Sequence, residues 1–157
     1  MSERVRPTDR LAELGLSLPP LSPPAGKYLP GVRSGTLLFV SGQTPTVNGR
    51  PTVTGYVGRE VSVTQARDAA RLATLNALAQ AATAAGSLDH VRRIIRLTGY
   101  VRSAPGFSEQ PAVINGASEL LIEIWGADGQ HARSAIGVAE LPGGAPVEIE
   151  LVIEVDP

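Results

Sequence analysis

Residues 147–155, VEIELVIEV, set Val147, Ile149, Leu151, Ile153 and Val155 at every second place, with Glu148, Glu150, Val152 and Glu154 between them. A period of two fits a pleated strand with one apolar and one wetter face. Such a strand needs partners along its ladders and a layer to cover its Val/Ile/Leu face. The rest of the 157-residue chain must therefore supply further strands and at least one packing layer.

The preceding run, HARSAIGVAELPGGAP, places a second strand over 132–140, joined to 146–155 by LPGGAP. Alternation puts Arg133 on one face with Ala135, Gly137 and Ala139, and Ser134, Ile136 and Val138 on the other. The aliphatic face is expected against helices. The small-residue face then leaves room for a ligand or a neighbouring subunit, with Arg133 at its edge. If LPGGAP closes a hairpin, Arg133 pairs near Val155 and Glu148 near Glu140. About seven residues at ~3.3 Å each, roughly 23 Å, would then separate Arg133 from Glu148 within one chain.

Upstream, YLPGVRSGTLLFVSGQ (28–43) reads as two strands around a Ser34-Gly35 turn, and Asn48-Gly49 marks a tight hairpin. Residues 62–85 carry the clearest helix signal. Ser62 and Gln65 form an S-x-x-Q capping box, Leu72, Leu75, Ala79 and Ala82 recur at helical spacing, and Gly86 stands where a C-terminal cap belongs. RRIIRLTGYVRS (92–103) reads as a strand, and 111–125 return to helical periodicity through Val113, Ala117, Leu120, Leu121 and Ile124. Near the N-terminus, TDRLAELGL (8–16) predicts a short helix capped by Thr8 or Asp9, an appendage followed by the proline-rich strap SLPPLSPPAGKYLPG. The compact fold is expected to begin near Tyr28. The order of elements predicts an α+β domain, a mixed sheet with two helices on one face.

Length suits one domain. With 14 basic and 15 acidic residues in no like-charge blocks, the chain lacks the basic footprint of a nucleic-acid or anionic-membrane binder. There is no cysteine, so disulfides, thiolate nucleophiles and thiolate metal sites are excluded. The first 16 residues mix charges without an apolar core, and no later run approaches the ~18 apolar residues that span a bilayer. The expectation is a soluble, cytoplasmic protein. One Trp and few aromatics imply a core of small aliphatics, for which association between subunits adds burial.

Taken singly, Arg133 reads as a solvated strand residue or a surface ion pair, Glu148 as part of an acidic face, and Tyr28, Asn115 and Ser41-Gly42-Gln43 as satisfied structural groups. His90 and His131, the two histidines, lie far apart, against a metal site or a serine–histidine triad. Gly143-Gly144 lacks the Lys-Ser/Thr of a phosphate loop.

Several pieces together resemble the RidA/YjgF family, also known as the endoribonuclease L-PSP family, and its branch with a longer N-terminus. They are A-G-K-Y before the first strand, F-V-S-G-Q-T-P, G-S-L-D-H-V, V-I-N-G-A-S-E-L and the closing A-R-S-x-x-x-V-A-x-L-P-x-x-x-x-V-E-I-E. The resemblance implies a chorismate-mutase-like fold for a domain over 24–157, preceded by the extension 1–23. It also implies a homotrimer whose sheets form a central β-barrel, with clefts between subunits. Its archetypal activity is hydrolysis of enamine/imine intermediates such as 2-aminoacrylate to 2-keto acids and ammonia. By motif position, Arg133 would clamp the substrate carboxylate and Glu148 would hold the attacking water. Tyr28, Ser41, Gly42, Asn115 and the Ala135 backbone would line the cleft. No metal or organic cofactor is implied, and the partners are further copies of the chain and a small carboxylate metabolite, with neither nucleic acid nor membrane. The rival readings are a non-catalytic trimer that binds such a carboxylate and, from the older family name, a ribonuclease. Two departures stand out: Ala135 replaces a common cysteine, and APGFSEQPAVIN before Asn115 is longer than in compact members.

Overall fold

The computed structural model describes residues 4–157; the first three residues of the extension lie outside the described residues. In chain order the elements are α1 (Pro7–Glu13), β1 (Gly31–Ser34), β2 (Leu37–Gln43), β3 (Thr46–Val47), β4 (Arg50–Pro51), α2 (Val63–Ala85), β5 (Val91–Arg102), α3 (Gln110–Trp125), β6 (Ala132–Val138) and β7 (Val147–Val155). β1, β2, β7, β5 and β6 form one sheet in that order, and β3 and β4 form a separate small hairpin. β6 runs parallel to β5, while the other pairings of the large sheet are antiparallel. This is a mixed-sheet α+β architecture with α2 and α3 packed on one face.

Helix α2 forms where local chemistry dictates. The Ser62 hydroxyl accepts from the Gln65 N–H, the Gln65 side chain accepts from the Ser62 N–H, and Gly86 ends the helix in the left-handed region at φ 86°. Ser62→Ala is expected to cost about 1 kcal/mol of stability, measured as a lower denaturant midpoint at unchanged slope. The tightly packed side of α2 is its alanine side: Ala66, Ala70, Ala73, Ala77 and Ala81 are fully buried, whereas Leu72 and Ala82 of the expected stripe are half-buried. Alanines let the helix backbone sit close to its neighbours. At the α2–α3 crossing, a Cβ on Gly116 would collide with the Arg67 carbonyl.

Two expectations for the closing stretch are overturned. β6 and β7 do not form a hairpin, because β7 is inserted between β2 and β5 while β6 pairs with the far side of β5. The LPGGAP connection crosses the end of β5, where the Arg102 N–H donates to the Pro146 carbonyl and the Gly55 N–H to that of Gly144. A strand set centrally satisfies both of its ladders and buries Val147, Ile149, Leu151, Ile153 and Val155 beneath the helices.

The faces of β6 are also reversed. Arg133, Ala135 and Gly137 register with Leu97, Gly99 and Val101 of β5, the helix-covered side. The small Ala135 and Gly137, with Gly99 of β5 beside them, admit α3: a Cβ on Gly99 would come within 2.5 Å of Ile114. The aliphatic side of β6 faces outward instead, with Ile136 exposed beside Tyr100 of β5.

Near the N-terminus, α1 begins after Arg6 without a side-chain cap, with Pro7 in its first turn. The predicted cap residue Thr8 instead hydrogen-bonds Asp89 through its amide and hydroxyl. Leu11 is buried in the common core, and Arg10 donates to the Glu123 carbonyl on α3. Asn48 (φ 52°) and Gly49 (φ 76°) take the left-handed conformations that a two-residue hairpin turn requires. No described helix is long and apolar enough to cross a membrane.

Candidate functional site

The expected site residues fall into two groups on opposite sides of the sheet. Glu148 registers with Tyr100 on the side of β7 that no helix covers, while Arg133 registers with Leu97 on the helix side. Two strand spacings across and three residues along β5 put their backbones roughly 14 Å apart, so the ~23 Å of a hairpin is replaced by a shorter path through the sheet. Within one chain the two side chains point away from each other.

Tyr28, Gly42 and Glu148 line a cleft of about 380 Å³, walled by the strap at Ser22–Ala25 and by Pro142–Gly143. The strap is held there by the buried Gln80, whose amide donates to the Ser22 carbonyl at 3.1 Å. Gly42 sits at a bulge, where the β2–β7 register shifts between Val40 and Gln43. A side chain there would intrude on Glu148, since a Cβ would lie 2.9 Å from its carboxyl carbon. Ser41 donates from its hydroxyl to the Leu29 carbonyl at 2.7 Å, tying the segment that bears Tyr28 to the cleft rim.

Among the described residues, Glu148 is the one Asp, Glu, Lys or Arg lining that cleft. Burial, and then the neighbouring charge of Glu150, push its carboxyl above the ordinary range, and among the described residues no cation or hydrogen bond offsets them. Glu150 is itself held by the Tyr100 hydroxyl at 2.5 Å. That bond, with burial second, pushes the phenol up to about 12, so Tyr100 remains a neutral donor. A half-buried carboxyl raised in this way suits a group that takes up and returns a proton.

The second group lies between α3 and β6. The Arg133 Nη1 donates to Asn115 Oδ1 at 2.7 Å and to Ser118 Oγ at 3.2 Å. Among the described residues, its Nε and Nη2 make no hydrogen bond, leaving a two-pronged edge suited to a carboxylate. Ala135 follows on the same face, half-buried against the core. Sequence reasoning named Arg133 and Asn115 but missed Ser118, although Asn115-x-x-Ser118 is the spacing that puts both on one helix face. It also missed Tyr100 and Glu150. Among the described residues no cluster of metal-ligating side chains occurs.

Residues 8–152 match the family described as "YjgF/chorismate_mutase-like, putative endoribonuclease". The chain belongs to this family. The YjgF-like chain is 42% identical over 147 residues to Protein TCP17 of Trypanosoma cruzi, covering 93% of this chain and 92% of that protein. It is 30% identical over 139 residues to a 2-iminobutanoate/2-iminopropanoate deaminase of Dermatophagoides farinae, covering 87% and 93%. Among solved structures, the protein Atu1372 of Agrobacterium tumefaciens superposes with a TM-score of 0.87 at 47% identity, covering 96% of this chain and 92% of that one. The fold is thus the chorismate-mutase-like α+β fold of that family, which includes imine deaminases.

Proposed function

We propose that this protein hydrolyses small enamine/imine carboxylates to 2-keto acids and ammonia, in clefts between the subunits of a homotrimer. The free Nε/Nη2 edge of Arg133 carries the reading, because it is a preformed carboxylate clamp with no acid beside it among the described residues of its own chain. The Glu148 cleft has the complementary deficiency. It holds a proton-handling carboxyl and no cation, so it cannot fix a carboxylate substrate alone. Bringing the Arg133 edge of one subunit to the Glu148 cleft of another completes both.

The uncovered face of the sheet supports association, since Val32, Phe39 and Ile136 leave large apolar side chains exposed there. Sequence kinship to a protein named as an imine deaminase supports the chemistry. An enamine first takes a proton from solvent at its β-carbon and becomes the iminium ion, the protonated imine. Arg133 holds the carboxylate while Glu148 accepts a proton from water, whose oxygen bonds to the imine carbon as the C=N π electrons move to nitrogen. Glu148 then returns the proton to the amine, the C–N bond breaks as the O–H pair of the new hydroxyl becomes the C=O bond and its proton passes through Glu148 to solvent, and ammonia leaves a keto acid. The substrate is already electrophilic, so positioning and proton transfer suffice. A ribonuclease reading finds no basic side chain lining the cleft to meet a phosphate backbone.

A dehydratase that generates 2-aminoacrylate, coupled to keto-acid and ammonia detection, tests the proposal. Wild type is expected to accelerate release, and Arg133→Ala to reduce kcat/KM by about 10²-fold, the scale for truncating one member of a charged, hydrogen-bonded pair. No acceleration by wild type sinks the deaminase reading. Binding of the keto acid without turnover would leave the rival, a carboxylate-binding trimer.

A further inference from the structure

The clamp has a second layer, to which no role has been assigned above. Ser118 Oγ, which accepts from Arg133, lies 3.0 Å from His131 Nε2, and His131 Nδ1 lies 2.6 Å from the Gly129 carbonyl oxygen. A carbonyl only accepts, so Nδ1 carries the proton. In that tautomer Nε2 is an acceptor, and the Ser118 hydroxyl donates to it. That leaves an oxygen lone pair of Ser118 for Arg133. The bonds therefore run in one direction, from the Arg133 Nη1 to Ser118 to His131 to the Gly129 carbonyl.

The chain is anchored at its far end. Gly129 packs so closely under α3 that a Cβ would collide with the Leu121 carbonyl, which fixes the peptide whose oxygen receives His131. Ser118 is buried on α3, and His131 leads directly into β6, two residues before Arg133. A serine hydroxyl without His131 could rotate its hydrogen toward Arg133 and repel the guanidinium. His131 removes that freedom.

We propose that His131, acting through Ser118, is a positioning residue that orients Arg133 so that its Nε/Nη2 edge faces the substrate carboxylate. The inference rests on the carboxylate-clamp reading above and adds the device that holds the clamp. Its side chain touches no reacting atom. Its effect is on carboxylate affinity, with the Arg133 charge unchanged.

The test is calorimetric titration of the full-length protein with 2-oxobutanoate, comparing wild type with His131→Ala, His131→Asn, His131→Gln, Ser118→Ala and the double variant His131→Ala/Ser118→Ala. Gln can place an acceptor near the position of Nε2, whereas Asn reaches only that of Nδ1. His131→Ala and Ser118→Ala are each expected to raise Kd about fivefold to tenfold, the scale of one lost hydrogen bond to a charged network. His131→Gln is expected to return within about twofold of wild type while His131→Asn does not, and the double variant to bind no worse than the weaker single one. Wild-type affinity in His131→Ala, equal rescue by Asn and Gln, or full additivity with Ser118→Ala would overturn the inference while leaving the clamp intact. If wild type binds no 2-oxobutanoate, the clamp reading itself fails and takes this one with it.

Discussion

Glu148→Gln is expected to lower kcat/KM for imine hydrolysis by about 10²- to 10⁴-fold, the usual range for loss of a general acid–base group, and at the same time to stabilise the fold. The two effects share one cause. Burial and Glu150 hold the Glu148 carboxyl above its ordinary range, so the folded state favours the protonated form. The stabilising contribution is then full below the unfolded-state pKa and is lost as pH rises through the higher folded-state value. Above that folded-state value the ionised group weakens the fold, and an uncharged amide of the same shape relieves it. A base needed in its ionised form also moves the acidic limb of the kcat/KM profile above the ordinary carboxylate range, and Gln removes that limb. Subunit mixing makes the same variant report on architecture. Arg133→Ala and Glu148→Gln protein, each nearly inactive, should on co-refolding at equal ratio recover about a quarter of wild-type activity, because random assembly joins an intact Arg133 to an intact Glu148 at one interface in four. No recovery from mixed oligomers would place the two residues outside a shared intersubunit site.

The parts of the fold legible in the sequence are those set by local chemistry. The capping box at Ser62 and Gln65, the stop at Gly86 and the Asn48-Gly49 turn each need only a few neighbouring residues, and each stands as expected. Strand partners are set by distant residues. Adjacent strands pair about two-thirds of the time, which favoured a β6–β7 hairpin. The alternation of β7 is equally satisfied between β2 and β5, so nothing inside VEIELVIEV or LPGGAP announces the insertion. The face of β6 failed for a related reason. A row of Arg133, Ala135 and Gly137 signals close approach by something, and without Gly99 and Ile114 placed beside it, a helix could not be told from a ligand or another subunit.

Gly116→Ala separates these scales and is expected to show the largest stability loss, about 3 kcal/mol, at the upper end of overpacking costs. In an exposed helix the same change stabilises by about 1 kcal/mol, because alanine is the better helix former. Here the sign reverses. The new methyl meets the backbone carbonyl of Arg67, which cannot rotate away as a side-chain end could, so α3 must move off α2. Denaturant unfolding at fixed protomer concentration should show a lower midpoint at unchanged slope, and the melting temperature should fall by roughly 6–12 °C for a domain of this size. Unchanged or higher stability would mean that the helices can separate without cost. The consequence reaches the clamp, because Asn115 and Ser118 flank Gly116 on α3 and both accept from Arg133 on β6. Displacing α3 displaces the two acceptors together, so Gly116→Ala should weaken 2-oxobutanoate binding as well as folding. The glycine is thus required by helix packing, and through that packing it sets where the guanidinium points.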